Sequence, residues 1–138
     1  RMGGAPLMRN FYGTLPLGLL QKTVIENNIF AKILRKEIPC EAVYEDDQVL
    51  FFYDINPQAK VHILGIPKKN VVDLADFILR SDQPTVQYFF TKIIDVIKDL
   101  GLDQKGYRLV TNNGRDANQE VPHFHIHILA GENLKGIR

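Results

Sequence analysis

The sequence predicts an α+β fold, a five-stranded, mostly antiparallel sheet with two main helices on one face. Three observations lead there. Two β-rich runs flank the polar stretch "EDDQ" (45–48), which is a hairpin signal. One long apolar pattern of helical period, "TVQYFFTKIIDVIKDLGL" (85–102), follows a third strand-like run. After it come two more strand-like runs, "GYRLVTN" (106–112) and "PHFHIHILA" (122–130), separated by the turn-rich "NGRDANQE" (113–120).

Taken in order, "NNIFAKILRKE" (27–37) offers Asn28 as a cap and Ile29, Phe30, Ile33 and Leu34 at helical spacing, and stops before Pro39. "EAVYEDDQVLFFYDI" (41–55) is the hairpin, with two runs of β-formers around the acidic turn Glu45, Asp46 and Asp47. "KVHILGIP" (60–67) is a third strand, ended by Pro67. "DLADFIL" (73–79) reads as a short helix. The long helix has Pro84 near its start and Gly101 just past its end. Five strands leave edges to be covered, so a symmetric homodimer is expected.

The chain has 138 residues, 45% hydrophobic and 24% charged, which fits a single globular domain. That domain is placed at 27–138. Residues 1–26 are set apart as an N-terminal tail: Arg9 precedes the apolar "LPLGLL", but Pro16 and Gly18 interrupt the run and no small-residue cleavage site follows. A net charge of +1 provides no overall field for nucleic acid or an anionic membrane, so neither is expected as a partner. No apolar run approaches the roughly 20 residues of a membrane span. Cys40 is the single cysteine, which excludes an internal disulfide and suits a reducing compartment such as the cytoplasm.

Three of the four histidines, His123, His125 and His127, occupy alternate positions of "VPHFHIHILA" (121–130). On a strand they share one face, and Phe124, Ile126 and Ile128 share the other, which is the core face. Filling a solvated face would not need three histidines. A metal site is a second reading, but same-face neighbours on a strand stand roughly 7 Å apart, so three histidines in line hardly converge on one ion. Two of them, completed by Glu120, Asp116 or His62, could. The third reading is phosphoryl chemistry, in which the row divides its work along a phosphate and its leaving group. One imidazole must be neutral to attack phosphorus and another able to donate a proton, and a pKa near 6.5 allows both. His125, flanked by the others, is the natural nucleophile. The preceding loop, "TNNGRDANQEVPH" (111–123), can offer backbone N–H groups to an anion. Taken alone, His62 reads as a satisfied core histidine, and Lys68 and Lys69 as a solvated turn.

The stretch "HFHIHIL" (123–129) matches the His-φ-His-φ-His-φ-φ signature of the histidine triad (HIT) superfamily of nucleotide hydrolases and transferases. The likeness extends to "IFAKILRKEIPCEAVYEDDQVLFFYDINPQAKVHILGIPKK" (29–69) and "GYRLVTNNGRDANQEVPHFHIHILAGENL" (106–134), which resemble the two halves of bacterial members of the Hint branch. The resemblance implies a homodimer whose sheets join, binding of a purine nucleoside monophosphate, and cleavage of a phosphorus–nitrogen bond through a covalent nucleotidyl-histidine. It implies His125 as nucleophile, His127 as phosphate contact and proton donor, His123 as the residue orienting His125, and His62 as the fourth histidine. Ile29, Phe30, Phe52 and Ile55 would enclose the base, although Phe30 and Phe52 also read as core. Asp54 would hold the ribose hydroxyls, and Asn112, Asn118, Gln119, Glu120 and Val121 would surround the phosphate. No cofactor is expected.

The chain departs from the family pattern in places. Glu120 stands where some relatives carry serine, and Asn118 where glycine is usual. Asn28 and Ala31 occupy the places of a zinc-binding Cys-x-x-Cys found in some relatives, so that metal site is not expected. The tail "GENLKGIR" is short. Related readings are a dinucleoside polyphosphate hydrolase, which shares the nucleophile, and a nucleotide- or protein-binding module in which turnover is incidental.

Overall fold

A computed structural model describes residues 27–137, together with Leu7–Met8 and Leu15–Pro16, which pair as a two-residue antiparallel ladder. The remainder of the N-terminal tail lies outside the described residues. The domain consists of α1 (Ile29–Leu34), β1 (Ala42–Glu45), β2 (Val49–Tyr53), β3 (Val61–Pro67), α2 (Leu74–Leu79), α3 (Gln83–Asp99), β4 (Tyr107–Val110) and β5 (Ile126–Ala130). The five strands form one sheet in the order β1-β2-β3-β5-β4, and every neighbouring pair is antiparallel. Among the described residues no helix is long and apolar enough to cross a membrane.

The helix starts follow local chemistry. Asn28 Oδ1 accepts the Ala31 N–H at 2.8 Å, Asp73 that of Asp76 at 2.8 Å, and Asp82 that of Thr85 at 2.9 Å. Each satisfies a backbone donor that a helix start leaves open. Gly101, with φ +70°, takes the left-handed position that ends α3.

The helices do not lie on one face, contrary to the sequence expectation. α3 and α2 cover one face with a core of Phe51, Ile63, Phe77, Phe89, Ile93, Phe124 and Ile128. α1 covers the other, where Phe30 and Ile33 pack on Leu50, Phe52, Leu64 and Ile66. The reason is in β2 and β3, whose apolar runs are buried on both faces, as befits strands sandwiched between two layers. Gly65 is the one small residue of β3, and a Cβ there would meet the Phe51 ring at 2.5 Å. At the far end, Tyr44 and Tyr88 both donate to Asp46 Oδ2, tying the hairpin turn to α3.

The histidine strand is shorter than expected. Only Ile126–Ala130 pairs in the ladder, and the chain bends through residues 121–123 before it. Pro67 has no N–H to continue the β3 ladder. Its carbonyl is taken by the His123 side chain at 2.9 Å, while the Phe124 N–H turns to Val71 O at 2.9 Å. Alternation nevertheless persists: Phe124 and Ile126 enter the α3-side core, and the histidines face α1.

Candidate active site

β3 and β5 bring the four histidines together. In the ladder, His62 sits opposite Leu129 and His127 opposite Leu64, so both imidazoles project on the α1 side. They meet there, His62 Nε2 lying 2.9 Å from His127 Nδ1. The rings of His125 and His127 are 5.0 Å apart, and Phe30 of α1 stands edge-on to His125 at 5.0 Å.

Hydrogen bonds assign the ring protons. The Gln58 backbone N–H donates to His62 Nδ1 at 2.9 Å, so a neutral His62 carries its proton on Nε2. That proton points at His127 Nδ1, which leaves the His127 proton on Nε2. His125 Nδ1 lies 2.6 Å from the His123 carbonyl, and a carbonyl only accepts; Nδ1 is therefore protonated and Nε2 keeps its lone pair. The carbonyl of His125 in turn accepts the Thr111 hydroxyl at 2.8 Å. His123 donates from Nε2 to Pro67 O, and its buried Nδ1 has no partner.

Burial keeps all four rings neutral at neutral pH. It lowers His123, which is fully buried, to about 4 against 6.5. Burial, with His125 and His62 beside it, brings His127 to about 4, partly opposed by Asp54. His62 and His125 are also lowered by burial, with Asp54 opposing in both and Glu120 acting on His125.

A cleft of about 600 Å³ opens beside these rings. Its walls include Ile29, Phe30, Phe52, Asp54, Ile55, His62, Asn112, Asn118, Gln119, Glu120, Val121, His125 and His127, so nearly every residue singled out from the sequence converges there. His123 does not line it. Its imidazole faces Pro67, and what reaches His125 from this residue is the main-chain carbonyl. Phe30 and Phe52 are both buried and pack edge to face at 5.7 Å, so they serve the core and the cleft wall at once. Ile55 is 84% exposed at the rim. Asn118 adopts φ 57°, ψ 45°, the left-handed conformation that asparagine tolerates better than most residues. Asp54 Oδ1 accepts the Asn56 N–H at 2.8 Å, and Oδ2 lies 3.5 Å from His62 Nε2.

Other contributors were not singled out from the sequence. Ile33, Ile38, Pro39, Cys40 and Leu64 complete the apolar end of the cleft. Ile33 could have been found, being one helical turn from Ile29 and Phe30. Gln58 acts through its backbone N–H, for which no side-chain signal exists.

Asp54, His62 and His127 bring three donor atoms within 4.8 Å of one another. The ring protons do not suit a metal. An ion on His62 Nε2 would move that proton to Nδ1, against the Gln58 N–H, whereas a ligating histidine normally turns its other nitrogen to an acceptor. The cluster fits a hydrogen-bond chain better.

Residues 35–134 match the HIT domain family. A HIT-like protein of Rickettsia prowazekii is 46% identical over 112 residues, covering 81% of this chain and 93% of that protein. One from Azospirillum brasilense is 49% identical, with 83% and 94% covered. Among solved structures, a histidine triad protein from Clostridium difficile superposes with TM-score 0.73 at 45% identity, over 80% of this chain and 95% of that one. A HIT family hydrolase from Clostridium thermocellum gives 0.71 at 36%, over 81% and 96%.

Proposed function

The chain belongs to the HIT family, and from that premise we propose that it hydrolyses nucleoside phosphoramidates or acyl-adenylates through a covalent nucleotidyl-histidine on His125. One observation carries the reading: His125 is held by the His123 carbonyl with its proton on Nδ1, leaving an unprotonated Nε2 beside an open cleft. The base rests between Ile29, Phe30, Phe52 and Ile55. The ribose hydroxyls donate to Asp54, and the phosphate meets Asn112 and the backbone of 118–121.

In the first step Nε2 of His125 bonds to phosphorus and the phosphorus–nitrogen bond breaks. The departing nitrogen takes a proton from His127 Nε2, with His127 entering the step as an imidazolium that has drawn its second proton from solvent as the phosphate binds, and leaving it neutral. With His127 at about 4 in the free site, that transfer relies on the bound phosphate anion to raise its proton affinity. Water then attacks phosphorus, gives its proton to His127 and releases His125 and the nucleoside monophosphate.

The cleft's charge favours this class over dinucleoside polyphosphates. Its described lining contains two carboxylates, Asp54 and Glu120, and no lysine or arginine. Each further phosphate would bring negative charge without a fixed cation to meet it. A homodimer joined through β4 is part of the proposal, supported by the exposed Tyr107 and Leu109 on that outer strand. A cytoplasmic location suits a chain with one cysteine.

The test is single-turnover hydrolysis of an adenosine phosphoramidate, with mass spectrometry on an acid-free quench, for the intact protein and His125→Ala. A nucleotidyl adduct on the intact protein alone is expected. Its absence, with equal rates in both, sinks the covalent reading. Faster turnover of a dinucleoside tetraphosphate would reassign the substrate, and cellular function surviving in His125→Ala would make the site a binding module.

A further inference from the structure

Gln119 is 5% exposed and its carboxamide is fully committed to the main chain. Nε2 donates to Val72 O at 2.7 Å and to Val121 O at 3.0 Å, and Oε1 accepts the Gly114 N–H at 2.9 Å. Both amide protons and the oxygen are thus used within the protein. The three partners lie at the start of the loop, at its end, and on the segment leading into α2. Val71, next to Val72, accepts the Phe124 N–H, and Val121 O also receives the His123 N–H at 2.8 Å. The same small region therefore fixes the loop and the backbone that delivers the His123 carbonyl to His125.

We propose that Gln119 is a positioning residue, a three-point clamp that sets the loop's backbone and, through residues 121–124, the aim of the His125 imidazole. It does not contact the phosphate through its side chain. This deepens the phosphoramidase reading and rests on it for its kinetic consequences. The clamp demands two donors and one acceptor from one planar group, which among the side chains of this length only glutamine supplies. A glutamate of the same shape would turn one carboxylate oxygen toward two carbonyls. Protonated, it recovers one donor.

The experiment compares wild type with Gln119→Glu and Gln119→Asn. Nucleotidylation of His125 is followed in single turnover between pH 5.5 and 8.5, a range that takes in the raised titration of a buried glutamate facing two carbonyls and the unperturbed histidine value near 6.5. Binding of adenosine monophosphate and thermal unfolding are measured in the same buffers. In Gln119→Glu the adduct rate should drop at least tenfold at the alkaline end and recover toward wild type as the pH falls, while nucleotide affinity, which depends on the loop's backbone but not on the aim of His125, falls by a smaller factor. Gln119→Asn, one methylene too short, should show the loss without the pH-dependent recovery. Equal losses of rate and affinity at every pH would mean that Gln119 touches the ligand, and would overturn the clamp. So would unchanged rates in both variants. Should wild type form no adduct at all, the functional reading fails separately. The clamp is then judged by hydrogen exchange of the Gly114 and Phe124 amides, which must accelerate in Gln119→Glu at alkaline pH; unchanged protection overturns it.

Discussion

Replacing His123 with leucine separates what its imidazole does from what its carbonyl does. The fully buried ring has a folded-state pKa of about 4 against 6.5 for the free side chain. Because the folded value is the lower one, the unfolded chain takes up a proton first, and stability falls as the pH drops from 6.5 through 4. At pH 5 the difference amounts to about 2 kcal/mol, approaching about 3 kcal/mol below the folded value. Leucine has no such linkage. At pH 7 it loses the bond to Pro67 and strands that carbonyl at a cost of about 1–3 kcal/mol, offset in part because the unpartnered Nδ1 disappears as well. Urea unfolding of both proteins at pH 7 and pH 5 measures the double difference, in which the other histidines largely cancel. Wild type should lose about 2 kcal/mol more than the variant between the two conditions. An equal loss in both would refute the assignment of a buried, neutral His123. The carbonyl that holds His125 survives the substitution, so the folded variant should still form adduct far faster than His125→Ala.

Other outcomes follow from the same geometry. Gly65→Ala forces a methyl into the Phe51 ring and should cost about 1–3 kcal/mol by chemical denaturation, with partial relief in a Gly65→Ala, Phe51→Leu double variant. At Asn118, which is left-handed, glycine should be neutral or mildly stabilising, whereas valine should cost about 1–2 kcal/mol in thermal unfolding. Asp46→Ala removes the acceptor shared by Tyr44 and Tyr88 and two backbone bonds within the turn, and should lower the melting temperature at pH 7. Those bonds hold the carboxyl at about 2, below its ordinary value of 3.8, so its contribution is complete above that ordinary value and fades as the pH falls through about 2. The gap between the two melting curves should accordingly narrow below pH 4, which is about where an unfolded aspartate begins to bind its proton. Glu120→Lys places a cation in a lining otherwise without one and should lower KM for a dinucleoside tetraphosphate several-fold relative to a phosphoramidate; an unchanged ratio would remove charge as the basis of the discrimination.

Local chemistry made much of the molecule legible in its residues. Asn28 announces a helix start because capping is a short-range bond, and the two-residue period of 123–128 assigns Phe124 and Ile126 to the core whether or not the ladder reaches them. The histidine motif also marked the strand beside which the cleft opens, since few other chemistries call for imidazoles in that spacing. What the tertiary structure alone decided depends on groups far apart in the chain. Both faces of β2 and β3 are buried because α1 returns over the side that α3 leaves open, a placement that no strand pattern can assign to a particular helix. The proton positions on His62, His125 and His127 come from the Gln58 N–H and the His123 carbonyl, backbone groups that every residue possesses. For the same reason Gln119, which by sequence reads as a ligand contact and does line the cleft, is found with its side chain bonded to the main chain: a carboxamide bonds whatever backbone the fold brings to it, and only the fold says which.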